Sequence, residues 1–275
     1  MLLSVSRSVF LCRSVGIPQF ICHARFLTNR SRSKSARPAL KPTKKEPKVP
    51  VGRKSALDAL REIEIAQKPT PKQLFDYFLV LDFEATCDDG SIVDEKVEVQ
   101  EIIEFPVVKI NSNTWKTEAL FYHYVRPQVH PTLSAFCTKL TGILQPMVEN
   151  QPDIKEVLKK FDTWMLKEGL LDDGVKFAFV TYGDWDLGKL LPRNCAYFNI
   201  PVPAYFKEWI NIKRPVSDVT GIYPRSFFHA LQVMNVEHIG RHHSGLDDVK
   251  NTANLLRAVA EKDYVFQITQ WTAVN

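Results

Sequence analysis

Apolar and polar positions change rhythm several times along this chain. From Tyr77 the run YFLVL carries no charge and reads as a buried strand. IIEFPVVKI (102–110) and EALFYHYV (118–125) are two further β-like runs, joined through NSNTW as a hairpin. TLSAFCTKLTGI (132–143) predicts a short helix closed by Gly142. In DIKEVLKKFDTWMLKE (153–168), Ile154, Val157, Leu158, Phe161, Trp164 and Met165 share one helical face. VKFAFVTYG (175–183) predicts a central strand, followed by a helix near Trp185 that Pro192 disturbs. DDVKNTANLLRAVAEK (247–262) predicts the last long helix. Antiparallel strands first, then strands alternating with helices, predict one mixed α/β domain over residues 73–275.

The segment before that domain has another character. Residues 1–72 hold 16 Lys/Arg and 4 Asp/Glu, a balance of +12; the rest hold 20 and 27, a balance of −7. The first 27 residues are apolar and Ser-containing, with Arg7, Arg13 and Arg25 and no acid. That is the composition of a mitochondrial transit peptide, drawn here as residues 1–37. The competing reading is a basic tail for RNA binding or nuclear import, in a nuclear, nucleolar or cytoplasmic protein. Residues 28–54 read as disordered, Ser55 as the N-cap of one amphipathic helix, and KPTPK as a stiff linker, giving a basic linker over 38–72. No run of about 18 apolar residues exists, so no membrane span is expected. Cys12, Cys22, Cys87, Cys137 and Cys195 form no C-x-x-C pair. A reducing compartment is expected, without a disulfide framework or structural zinc.

Acids recur where buried elements begin or end. Asp82 and Glu84 close the strand from Tyr77, two apart and so on one side of it. Asp184 and Asp186 follow the strand 175–182. Asp247 and Asp248 open the last helix, just after His242 and His243. Singly, Asp184, Asp247 and Asp248 suit helix N-termini, but the first strand has no use for two charges. Brought together, such carboxylates repel unless cations neutralise them. Hard divalent ions take oxygen ligands of this kind, and two of them clamp an in-line displacement at phosphorus. A histidine beside them suits the water's proton. The bases and the sugar play no part in that chemistry, so it does not choose RNA over DNA.

LVLDFEATC, EIIEFPVV, FCTKLTGI, TYGDWDLGKLL, WINIKR and RHHSGLDDVKNT occur in the order found in DEDDh exonucleases of the DnaQ-like superfamily. Over about residues 75–260 the chain resembles the Eri-type 3′→5′ exoribonucleases, the group that includes the 3′ histone mRNA exonuclease. The resemblance implies an RNase H-like fold, a mixed central sheet flanked by helices. It implies two Mg²⁺ or Mn²⁺ ions, no other small-molecule cofactor, RNA with a free 3′ end as partner, and release of nucleoside 5′-monophosphates. By position it assigns Asp82, Glu84, Asp186 and Asp248 to metal and His243 to catalysis. Spacing alone allows His242 with Asp247 as well as His243 with Asp248; the surrounding H-S-G-L-D-D selects the second pair. The resemblance also makes Phe136 and Trp185 the rings that hold the terminal base, with Phe83 counted among the substrate-binding residues. For Phe136 the competing reading is a core position. Lys213 and Arg214 are phosphate-contact candidates or plain surface charges. No SAP-like nucleic-acid module is legible; the basic leader stands in its place. The remaining rivals are a DNA or short-oligonucleotide exonuclease and an RNA-binding protein without turnover.

Overall fold

A computed structural model describes residues 69–92 and 96–272. The transit peptide expected over 1–37, the disorder expected over 28–54 and the helix expected from Ser55 lie outside the described residues. Seven strands form one sheet: β1 (Tyr77–Leu81), β2 (Glu84–Ala85), β3 (Ile102–Asn111), β4 (Thr117–Tyr124), β5 (Phe177–Thr181), β6 (Glu208–Asn211) and β7 (Gln270–Trp271). The hairpin β3–β4 and the pairs β1–β3, β2–β3 and β6–β7 are antiparallel; β1–β5 and β5–β6 are parallel. Parallel neighbours need crossovers, and helices supply them.

Side chains leave a strand alternately to its two faces, and β1 divides accordingly. Phe78 and Val80 enter a core with Val108, Ile110, Ala178, Val180 and Ile210. The helices α5 (Lys213–Thr220), α6 (Phe227–Val233) and α7 (Gly245–Ala260) cover that face through Val216, Leu231, Val249 and Leu256. Leu79 and Leu81 enter the opposite core with Phe105, Val107 and Phe179, covered by α3 (Ile154–Lys167). The expected apolar face of α3 is buried at Ile154, Val157, Leu158, Phe161 and Met165, while Trp164 is half-buried on its edge. Asp153 caps α3 by accepting from the Glu156 N–H, and Glu156 answers in a capping box. Before α3 come α1 (Ala135–Thr141), capped by Ser134 and ended by Gly142 at φ 77°, and the short α2 (Gln145–Val148). After β5 the chain makes a π turn over Asp186–Leu190 and continues as α4 (Leu191–Tyr197).

Candidate active site

The site begins where β1 stops pairing. Leu81 is opposite Val107 and Glu84 opposite Glu104, which leaves Asp82 and Phe83 against Pro106 and Phe105. Pro106 has no N–H to give a ladder, so an interruption is expected there. The alternation persists through the gap. Asp82 and Glu84 come out on the α7 side, with carboxylate oxygens within 4.8 Å of each other and of Asp248. Phe83 turns the other way. Its ring is 3% exposed and meets the Phe105 ring edge-on at 4.5 Å. Phe83 is nonetheless among the residues that line the adjoining cleft, and its backbone N–H donates to Asp186 Oδ1 at 2.9 Å.

Asp248 arrives on the first turn of α7. That helix end comes very close to the sheet, and Gly245 is what permits it: a Cβ there would lie 2.9 Å from Glu104 Oε2 and 3.0 Å from the Asp82 carbonyl oxygen. The Gly245 N–H donates to Glu104 Oε2 at 3.0 Å, and the Tyr122 hydroxyl donates to Oε1 at 2.7 Å. Asp248 Oδ2 accepts the His243 N–H at 2.7 Å, and His242 Nδ1 lies 3.4 Å from Oδ1. Asp247 is used elsewhere; it accepts from the Arg241 N–H and the Lys250 ammonium. His243 sits at φ 61°, a left-handed conformation in which histidine is enriched among non-glycine residues. Its ring lies 4.0 Å from that of His242, which also stacks on Phe227.

Asp186 comes from the π turn after β5. The Leu191 N–H reaches back five residues to the Asp186 carbonyl, and Pro192 follows without an N–H. This is the disturbance the proline announced. Asp184, expected as a helix cap, instead accepts from the Trp209 indole at 3.1 Å. Trp185 between them is 38% exposed, an uncommon position for an indole without a partner to cover.

These groups line a cleft of about 430 Å³, which takes in Asp82, Glu84, Asp186, Asp248, His242, His243 and Trp185. Phe136 is half-buried and does not line it; Leu140, one turn further along α1, does. Of the two rings expected around a base, the cleft takes in the indole of Trp185, and it meets α1 only at the last turn. Tyr182, Phe227, Gln100 and Thr252 also line it and were not singled out in the sequence. Glu104 was missed as well: EIIEFPVV carries two acids, and the sequence does not tell them apart. Of the two phosphate-contact candidates, Lys213 places its ammonium 4.6 Å from the Tyr182 ring centroid, and Arg214 is exposed.

Electrostatics make this cluster costly as it stands. Burial, then the charge of Glu104, pushes Glu84 up to about 9. Burial and the neighbouring Asp186 and Glu84 raise Asp82 well above the usual carboxylate range, burial raises Asp186 to about 6, and burial raises Asp248. Burial and then the neighbouring His242 lower His243, so the imidazole is neutral near pH 7. Oxygen donors held this close, with no Lys or Arg ion-paired to Asp82, Glu84 or Asp248 among the described residues, fit hard divalent cations.

A family profile described as exonuclease (RNase T) matches residues 79–256. The chain belongs to the exonuclease family. Among its curated relatives, ERI1 exoribonuclease 3 of Mus musculus is 48% identical over 79% of this chain and 63% of its own. The Homo sapiens protein of the same name is 50% identical over 72% and 58%. The chain thus spans about three-fifths of the length of these relatives. The solved nuclease domain of 3′hExo, a DEDDh family member bound to rAMP, is 35% identical with a TM-score of 0.68, covering 74% of this chain and all of that one. The structure of cell-death related nuclease 4 (CRN-4) is 30% identical with a TM-score of 0.60, over 66% and 63%. The exonuclease fold expected from the sequence, an RNase H-like mixed sheet flanked by helices, is the fold observed.

Proposed function

We propose that this chain is a metal-dependent 3′→5′ exoribonuclease that releases nucleoside 5′-monophosphates. The observation that carries the reading is the convergence of Asp82, Glu84 and Asp248 within 4.8 Å at a cleft that also holds Asp186 and His243. Asp82, Glu84, Asp186 and Asp248 would hold two Mg²⁺ or Mn²⁺ ions. Such a pair, when bound, supplies positive charge to the attacking and leaving oxygens of an in-line displacement. His243, neutral and beside Asp248, takes the proton of the attacking water. That water's oxygen bonds to phosphorus as the P–O3′ bond to the penultimate nucleotide breaks. Trp185 offers the terminal base a stacking face that accepts any base, worth about 1–3 kcal/mol. The exoribonuclease names of the relatives support RNA as the polymer.

The test uses 5′-labelled and 3′-labelled RNA and DNA, with Mg²⁺ or with chelator, and an Asp82→Asn control. The expected result is a ladder shortening from the 3′ end of RNA, mononucleotide 5′-phosphates as product, and silence in chelator and in the variant. Cleavage that persists in chelator, or in Asp82→Asn, would sink the proposal.

A further inference from the structure

Two motif residues have no part in the chemistry so far: Gly142 of FCTKLTGI and Arg241 of RHHSGLDD. They touch each other. The Arg241 guanidinium lies on the end of α1 and donates through Nη2 to the Leu140 carbonyl at 3.1 Å and to that of Lys139. Both carbonyls belong to the last turn of α1, where a helix leaves its C=O groups without partners and a cation suits the dipole. Gly142 is the seat. A Cβ there would fall 1.7 Å from Nη1 and 2.9 Å from Cζ, so a larger residue would push the guanidinium off. Leu140 and His243 both line the cleft, and the contact therefore joins two of its walls.

Arg241 opens the loop that carries His242 and His243 to Asp248. Among the described residues, the other hydrogen bonds of 239–244 return to α7. The Ile239 N–H donates to Asn251 Oδ1 at 2.9 Å, the Arg241 N–H to Asp247 Oδ2 at 3.0 Å and the His243 N–H to Asp248 Oδ2 at 2.7 Å. The loop is tied to α7 mainly by its backbone and to α1 by one side chain. Among the described residues the His243 ring itself forms no hydrogen bond, and its ring neighbour is His242. Its place is therefore set by the loop.

We propose that Arg241 is a positioning residue: its guanidinium, seated on α1 over Gly142, fixes the loop that holds His243 at the cleft. This rests on the exoribonuclease reading above, in which His243 takes the water's proton. A misplacement of about 1 Å costs a reaction about 10²-fold, so a brace that touches no reacting atom still governs the rate.

The test is steady-state kinetics on labelled RNA, with hydrogen exchange of the RNA-free protein beside it. Arg241→Met should lower kcat about tenfold to a hundredfold and leave KM within about twofold. Arg241→Lys, whose ammonium still donates, should recover part of the loss. Gly142→Ala should reproduce the loss from the other partner, and the two combined should be no slower than the slower single variant. In a His243→Ala enzyme, Arg241→Met should cost nothing further, because it acts through that ring. Exchange over residues 239–244 should quicken in Arg241→Met. A loss confined to KM overturns the proposal and makes Arg241 a direct RNA contact. A lower melting temperature with kcat intact overturns it as well, and leaves a plain helix cap. So does a full further loss in the His243→Ala background. A wild type that leaves RNA intact fails the exoribonuclease reading, and the positioning role falls with it; an active wild type beside an equally active Arg241→Met sinks the positioning role alone.

Discussion

At the scale of single residues, two neighbouring histidines have been given different work. The His243 backbone N–H holds Asp248, and its ring is free to face the cleft. The His242 ring is stacked on Phe227 and leans on Asp248 at 3.4 Å. His243→Ala should therefore cost about 10²–10⁴-fold in rate, while His242→Ala should cost far less. Steady-state rates on labelled RNA check this, and a larger loss in His242→Ala would reverse the two roles. The acids yield a second expectation. Burial pushes Glu84 and Asp186 up to about 9 and about 6 in the folded chain, against about 4 when unfolded. Between those limits the folded state keeps protons the unfolded state has released, so stability falls as pH rises through the window. In chelator, the melting temperature should be higher at pH 5 than at pH 8, and Mg²⁺ should narrow the difference. A melting temperature in chelator that climbs from pH 5 to 8 would contradict the assignment.

At the scale of elements, the site depends on one helix end touching one strand end. Gly245→Ala would drive a Cβ against the Glu104 carboxylate, the Asp82 carbonyl and Pro106. The backbone cannot yield there without moving Asp248. The variant should fold with a melting temperature several degrees lower and should lose most of its hydrolysis, readable by calorimetry and a single-turnover assay. Unchanged activity would mean that α7 tolerates a shift. The elements also mark how far the sequence could be read. Strand β1, the β3–β4 hairpin and α3 announced themselves because apolar spacing is a local property. That Leu140 and not Phe136 lines the cleft was not legible, since both lie on one helical stripe and only packing decides which turn meets the cleft. Two acids of the same stretch, Glu101 and Glu104, were equally opaque. Glu101 is buried by accepting the N–H groups of Gln128, Val129 and His130, whereas Glu104 braces α7. Nothing in EIIEF distinguishes a loop anchor from a site acid.

At the scale of the whole molecule, charge separates a basic segment before residue 73 from the acidic remainder that holds the exonuclease fold. We propose that the leader directs the chain to mitochondria and is removed there. Seven Lys/Arg and no acid fall in residues 1–37, so cleavage near 37 would take the net charge from +5 to −2. RNA binding by the shortened protein should be only moderately salt-sensitive. Imaging a C-terminally tagged chain and sequencing its mature N-terminus test this; a nuclear signal with Met1 retained would overturn it.

The parallel pairing of β1 with β5 has a kinetic consequence. Tyr77 meets Phe177 across one hundred residues of chain, and closing a loop of that length costs about 4 kcal/mol of entropy. Asp186, which follows β5, does not come near Asp82 until that closure is made, so completion of the set of acids is expected late in folding. Cations that bind it should retard unfolding and leave the refolding rate almost untouched. In stopped-flow denaturant jumps, only the unfolding arm of the chevron should move with Mg²⁺. The assembled site would then act as a latch, closed last and holding what earlier steps have built.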